Sequence, residues 1–323
     1  INTSYLADMS HELGKKYEEL QQKIFDIAGY KFNIASPAQL SDMLFIKLQL
    51  PTSGIKKGKT GYSTGQKELN KLRGLHPVIE LIEQTRELAK LKNTYVDALP
   101  KLVDKNYRLH TTFNQDVVST GRLSSTHPNL QNIPIRSTLG KKIRNAFIAD
   151  EDNILVSADY SQFELRLAAI MAGDEDLIND FNNDIDIHTK TASDVYKIPM
   201  DQVTSNQRRN AKVINFGVLY GMSPHGLSAA TGMSFIEAKK FIDDYFNLRR
   251  PIREFIEETL EKHKNEGYVT TYFGRRRPTP DVKSSNFMVR EAWKRAGANM
   301  PIQGTEADLM KRAMLRTEEK LGN

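Results

Sequence analysis

There is no cysteine in the 323-residue sequence, which excludes disulfides, thiolate metal sites and a thiol nucleophile. No apolar run approaches the roughly 20 residues that a membrane-spanning helix needs, and no signal peptide is visible. The expectation is a cytoplasmic protein with no membrane partner. Internal repeats are also absent, which argues against a solenoid or propeller. What is there is a modest cationic excess, 46 Lys and Arg against 40 Asp and Glu, for a net charge of +6. That balance suits a polyanionic partner, although basic composition alone does not select nucleic acid. An apolar content of 39% over this length supports about two domain-sized cores.

The first element to stand out is a long amphipathic helix with Leu6, Met9, Leu13, Leu20, Ile24 and Ile27 at helical spacing and Gly29 as its stop. A shorter helix near Pro37 to Gln49 and a long one from about Pro77 to Leu99 follow. Between them, Pro51 to Gly65 is a Gly/Lys/Ser/Thr tract with no apolar period, expected to have no structure of its own until something orders it. Strand and loop are expected from Tyr107 to Asp159, with β-rich segments at Arg108 to Val118 and Ile143 to Ile148. Helices are expected from Ser161 to His263, a strand at Gly267 to Phe273, and a helix from Asn286 to Met310 kinked at Pro301.

The stretch Arg208 to Gly221 carries the strongest chemical signal. At 100° per residue, Arg208, Lys212, Phe216 and Tyr220 fall within about 120° of one helix face. Ser205 at the amino end can cap, so the cations sit where the dipole and free N–H groups already favour anions. A polyphosphate suits that end, and the two aromatics offer faces for an attached base or sugar. The same spacing also fits an ordinary amphipathic helix with Val213, Phe216 and Leu219 in a core. Upstream, Asn153 to Ala158 reads as a buried strand ending on Asp159, where a carboxylate at an exposed sheet edge suits a hard cation such as Mg²⁺. Ser161 with Glu164 fits a capping box on the helix that follows.

These segments resemble the polymerase region of family A DNA polymerases, the bacterial DNA polymerase I type. Asp159-Tyr-Ser-Gln-Phe-Glu-Leu-Arg166 is similar to the family's first catalytic motif, and Arg208 to Gly221 to its nucleotide-binding helix. Thr120-Gly-Arg-Leu-Ser-Ser125, Pro128-Asn-Leu-Gln-Asn-Ile-Pro134, Asp186-Ile-His188, Phe273-Gly-Arg-Arg-Arg277 and Asn299-Met-Pro-Ile-Gln-Gly-Thr305 match further signatures in the expected order. The resemblance runs from the first helix to the last residue. It implies an α+β right-hand polymerase fold: a helical thumb at 1–105, an antiparallel-sheet palm at 106–185, helical fingers at 186–285, and a palm return helix at 286–323.

The resemblance also assigns roles. Asp159 would bind two magnesium ions, with the Tyr160 carbonyl as a ligand of one. Arg208 and Lys212 would hold the triphosphate with His188 nearby, and Lys212 would act as general acid toward pyrophosphate, since an ammonium can lose a proton where a guanidinium cannot. Phe216 would pack on the incoming sugar, Tyr220 would stack at the template position, Glu164 would be the steric gate at the ribose 2′-position, and Gln162 would join the nucleotide site. Arg122, Arg295, Asn299 and Gln303 would meet minor-groove acceptors common to all base pairs. Asn129, Gln131, Asn132 and Arg136 would lie along the duplex backbone, and Lys56 and Lys57, with Lys59, would grip phosphates from the thumb tip. The implied partners are primer-template DNA and deoxynucleoside triphosphates, for a monomer associated with the bacterial nucleoid. The family's third motif, a His-Asp-Glu hairpin with the second metal-binding carboxylate, is expected beyond Asn323. A catalytically incomplete module that binds primer-template and nucleotide is therefore the alternative reading. An RNA-making relative is disfavoured by Glu164 as gate.

Overall fold

The computed structural model describes residues 1–59, 61–135 and 137–322. Arg136, expected on the duplex backbone, lies outside the described residues. The chain divides into two compact units, Ile1–Phe113 with Ser125–Ser157, and Asn114–Ser124 with Ala158–Asn323.

In the first unit, helix α1 (Thr3–Ala28) starts where the Asn2 side chain accepts from the Tyr5 N–H and stops at Gly29, whose φ of 79° is left-handed. Its apolar stripe meets α4 (Val78–Leu91) in two buried clusters. Leu6, Met9 and Leu13 meet Leu88, Leu91 and Tyr95, while Ile24 and Ala28 meet Val78, Ile79 and Ile82. Early residues face late ones, so the pair is antiparallel. Helices α2 (Pro37–Ser41) and α3 (Gln66–Leu72) close over the second cluster with Leu40, Leu69 and Leu72.

The described residues of the Gly/Lys tract between them, 51–59 and 61–65, are ordered, contrary to the sequence expectation. Strands β1 (Lys57–Gly58) and β2 (Gly61–Tyr62) form a minimal hairpin, with Ile55 buried beneath it. The Ser63 N–H donates to the Lys56 carbonyl at 2.8 Å and Lys71 donates to the Gly54 carbonyl at 2.7 Å. Backbone satisfaction by neighbouring side chains replaces the missing apolar period.

Strands β3 (Thr112–Asn114) and β4 (Ser124–Thr126) form a second small sheet. The strand expected at Ile143 to Ile148 is absent. Thr138–Arg144 instead forms α5, because Ser137 caps it and three cations in its last turn complement the dipole. The buried strand expected at Asn153 to Ala158 is also absent. That stretch is irregular, with Ile154, Leu155 and Val156 84%, 67% and 82% exposed. A strand needs a neighbour to satisfy its backbone, and none is hydrogen-bonded to it among the described residues.

The second unit is helical: α6 (Phe163–Ala172), α7 (Glu175–Asn182), α8 (Ile187–Tyr196), α9 (Ser205–Leu219), α10 (Pro224–Thr231), α11 (Phe235–Leu248), α12 (Arg250–Glu266) and α13 (Phe287–Leu321). Asp174, Asp186, Ser223, Ser234 and Asn286 supply side-chain caps. A two-stranded ribbon of β5 (Tyr268–Thr270) and β6 (Arg276–Pro278) pairs Val269 with Arg277. Sheets of two short strands are all that the described residues form, so the antiparallel sheet expected for the palm is not built by them.

One core joins α6, α9, α12 and α13 through Leu165, Ala168, Leu219, Ile252 and Ile302, and another joins α8 to α11 through Ala192, Ala211, Ile214 and Phe241. Arg249, at the α11–α12 junction, is buried and reaches Asp174 at 3.4 Å and Asp180 at 3.2 Å. Helix α13 carries Pro301 in its interior, and the Thr305 hydroxyl donates to the Pro301 carbonyl. Four residues before that proline, Gly297 lets the helix close on the fully buried His263 ring of α12. A Cβ at position 297 would stand 2.1 Å from His263 Nδ1.

Candidate functional site

Helix α9 starts one residue away from the expected cap. Thr204, not Ser205, does the capping: its hydroxyl accepts from the Gln207 N–H at 3.3 Å while the Gln207 carboxamide accepts from the Thr204 N–H at 2.9 Å. From there the helix has two faces. Ala211, Ile214 and Leu219 are buried, whereas Arg208 and Lys212 are exposed. The core reading holds for Leu219, which is buried, and in part for Val213 and Phe216, which are partly buried against the core clusters.

Arg208 is held by Asp186, Nε to Oδ2 at 2.7 Å. The same carboxylate caps α8 through the His188 and Thr189 N–H groups. Burial alone would raise the Asp186 pKa, but the Arg208 guanidinium and the Thr189 hydroxyl and N–H override it and hold the carboxyl at about 2. No partner pairs with the Lys212 ammonium among the described residues, one turn further on. His188 is 3% exposed, with Nδ1 3.0 Å from the Asn215 Nδ2, and its ring centre lies 5.8 Å from that of Phe216. Burial, then the charge of Arg208, lowers its pKa from 6.5 to about 4. The imidazole is therefore neutral at pH 7, which leaves the positive charge at this end of the site to Arg208 and Lys212. Asn215 and Thr191, hydrogen-bonded to each other at 3.2 Å, form the floor that fixes the ring.

A second cluster stands at the other end of α9. The Tyr220 hydroxyl and the Arg122 guanidinium both donate to the Glu164 carboxylate, and Arg122 also donates to Glu306 of α13. Burial and the bond to Glu164 push the Tyr220 hydroxyl up to about 12, against a smaller opposing hydrogen bond with Gln303. Burial works against the charge on Arg122, but the bond and charge of Glu306 outweigh it and raise its pKa. Gly221, at φ 65°, ends the helix against the Arg295 stem, and its added Cβ would lie 2.9 Å from Arg295 Cγ. Glu164, Arg122, Tyr220, Gln303 and Arg295 are thus gathered in one place. Asn299 is half-buried on the same helix with an unpartnered Oδ1.

The amino end of α6 departs from expectation. Gln162, in the left-handed region at φ 54°, is the cap residue, and no side chain caps there. The expected Ser161–Glu164 capping box does not form, because Glu164 is committed to Tyr220 and Arg122. The Gln162 Oε1 is buried and unpartnered. Asp159 is exposed on the irregular segment, and the Tyr160 ring stacks on Phe163 with centres 4.5 Å apart. A carboxylate beside a backbone carbonyl is an oxygen donor pair of the kind Mg²⁺ takes together with waters and substrate phosphates. The described residues contain no group of three His, Cys, Asp or Glu side chains able to hold a metal.

With these positions in hand, the comparisons are decisive about ancestry. Residues 3–323 match the family described as DNA polymerase family A. The chain belongs to that family. It is 50% identical over 323 residues to the thermostable DNA polymerase I of Thermus caldophilus, covering 99% of this chain and 39% of that protein. It is 47% identical to DNA polymerase I of Bacillus subtilis, covering 99% of this chain and 36% of that one. Among solved structures, the POL domain of Pol1 from M. smegmatis, in complex with DNA primer-template and dNTP, shares 38% identity at a TM-score of 0.90, covering 99% of this chain and 57% of that one. This family A chain therefore has the fold of a polymerase domain and spans less than two fifths of the length of those two curated relatives.

The remaining sites lie in the first unit. Asn129, Gln131 and Asn132 are exposed, with the Gln131 N–H donating to Asn129 Oδ1 at 3.1 Å. Lys56 and Lys57 are exposed at the β1–β2 hairpin, where Lys57 lies 5.4 Å from the Tyr62 ring centre. No described helix is long and apolar enough to cross a membrane. Sequence reasoning missed Glu306 and Asn215. Glu306 lies three residues beyond Gln303, an i,i+3 neighbour of the stripe Arg295, Asn299, Gln303. Asn215 shows no such spacing signal.

Proposed function

We propose that the chain is the part of a DNA polymerase that holds primer-template DNA and a deoxynucleoside triphosphate for template-directed addition to the primer 3′-hydroxyl. The carrying observation is α9: exposed Arg208 and Lys212 toward its amino end, a neutral buried imidazole beside them, and Phe216 and Tyr220 along the same face. Arg208, oriented by Asp186, and Lys212 bind the triphosphate, and Lys212 gives a proton to the leaving pyrophosphate. Phe216 packs on the sugar. Glu164, held in place by Tyr220 and Arg122, blocks a ribose 2′-hydroxyl. Arg122, Arg295, Asn299 and Gln303 contact minor-groove acceptors. Asn129, Gln131, Asn132, Lys56 and Lys57 contact phosphates, so affinity should fall steeply with salt. The Asp159 carboxylate and the Tyr160 carbonyl would hold magnesium, which would supply activation of the hydroxyl and neutralisation of phosphate charge. In this reading residues 1–105 are the thumb, 106–185 and 286–323 the palm, and 186–285 the fingers.

The exposure of Asp159, with no group of three His, Cys, Asp or Glu side chains placed to hold a metal among the described residues, favours a second reading for the isolated chain, a binding module that does not extend primers. Primer extension by the 323-residue chain, run beside a DNA-binding titration across salt, tests both. Salt-sensitive, sequence-independent binding supports the grip on DNA, and a flat salt dependence sinks it. Robust extension would sink the binding-module reading.

A further inference from the structure

The Arg122 guanidinium is held by Glu306 of α13 and Glu164 of α6. Glu306 takes the Nε and Nη2 donors, and Glu164 takes Nη2 as well. Among the described residues the Nη1 group has no hydrogen-bond partner. The turn that carries Arg122 is supported separately. Gly121, at φ 80°, lies directly on the Arg275 guanidinium, so that a Cβ there would come within 2.8 Å of Arg275 Nε. Arg275 is itself fixed by Asp308, with Nε and Nη2 at 2.9 and 2.7 Å from Oδ1. Asp308 also accepts from the Thr271 hydroxyl at 2.9 Å.

We infer that Glu306 is a positioning residue for Arg122, with Asp308 acting on the same turn through Arg275. An arginine gripped along its Nε/Nη2 edge has lost the freedom to rotate about its terminal bonds, so the Nη1 donors point one way before any ligand arrives. The ordering cost of that side chain is then met in the free protein. A guanidinium free of Glu306 would still attract phosphate, and more strongly once a nearby negative charge is gone, but it would not hold Nη1 in register with one base acceptor. Orientation and attraction therefore separate. Removing Glu306 should raise unselective affinity and lower selectivity, a combination that general destabilisation does not produce. The inference rests on the reading of Arg122 as a minor-groove contact to the primer end.

The test compares binding of the 323-residue chain to two primer-templates, identical except that the primer-terminal purine carries C–H in place of N3. For the unaltered chain the loss of the acceptor is expected to weaken binding about tenfold, the size of one hydrogen bond to a charged group. For Glu306→Gln, affinity for the normal DNA should stay level or rise up to a few fold, while the ratio between the two DNAs collapses below about threefold. Arg122→Ala, the reference, should show a ratio near one. A tenfold ratio that persists in Glu306→Gln overturns the inference and leaves the Arg122 reading standing. A ratio near one in the unaltered chain overturns both. A melt by circular dichroism accompanies each variant, and if Glu306→Gln does not fold, Asp308→Asn is read by the same ratio, with a collapse supporting the inference and an unchanged ratio overturning it.

Discussion

The α9 face and the Asp159 segment, assigned to one task by one family pattern, lie at opposite extremes of construction. On and around α9 several polar groups are held by neighbours: Asp186 orients Arg208, Asn215 fixes His188, Glu164 holds Tyr220, and buried apolar residues anchor the helix. Around Asp159 the described residues give no comparable support, with three consecutive apolar residues in solvent and no backbone ladder. In the proposed reading the donors to an anion come from a single helix and its neighbour, so such a site can be completed within one helical layer. A carboxylate site for cations needs several strands to converge, and convergence is a property of a whole sheet.

The largest effect expected concerns the scaffold behind α9. Arg249→Met leaves the Asp174 and Asp180 carboxylates facing a buried site without their cation, and should cost about 3–5 kcal/mol in a denaturant titration. A loss under 1 kcal/mol would mean that the scaffold is no firmer than the Asp159 segment.

Next in size is a pH effect. His188 is neutral in the fold because its pKa lies near 4 instead of 6.5. Protonation therefore favours the unfolded chain. The stabilisation is complete above pH 6.5 and is lost as pH falls from 6.5 toward 4, amounting to about 3 kcal/mol at 1.36 kcal/mol per unit. His188→Gln should flatten the stability curve in that window relative to the unaltered chain. Parallel curves would show that the ring is not desolvated.

Smaller again is the loss of one charged contact. Lys212→Ala should weaken deoxynucleoside triphosphate binding, measured calorimetrically without metal, by about 1.5–3 kcal/mol, while Asp159→Asn leaves that metal-free affinity unchanged. Equal losses in the two variants would erase the contrast between the regions. The smallest effect is expected at Ile154→Ser, which should change stability by no more than about 0.5 kcal/mol because the side chain is already 84% exposed. A cost above 1 kcal/mol would show the segment to be packed.

Periodicity made the helices legible. Leu6, Met9, Leu13 and Ile24 foretold α1 to its Gly29 stop, and Gly267 to Phe273 contained β5. It failed where local chemistry overrode it. The β-branched run after Asn153 reads as a strand in any sequence, but a strand is a relation between two segments, and one of them is not visible in a local window. Ser137 with the cations behind it made a helix of residues expected to be extended. In the site, Arg208, Lys212 and Tyr220 were legible because one helix spaces them. The double claim on Arg122 was not, since Glu164 and Glu306 lie 42 and 184 residues away along the chain.

The contact of Gly297 with His263 bears on how this sequence can change over time. A methyl group at position 297 has nowhere to go while the imidazole stands where a Cβ would fall. The imidazole in turn has both nitrogens unpartnered, so no hydrogen bond ties it to that place. The two positions should therefore drift as a pair. A lineage could shrink residue 263 first with little loss of polar contacts and only then enlarge residue 297, whereas the reverse order passes through a clash. Among related chains, larger residues at 297 should be found only where 263 has become small, and a double-mutant cycle on Gly297→Ala with His263→Ala should show the two costs to be strongly non-additive.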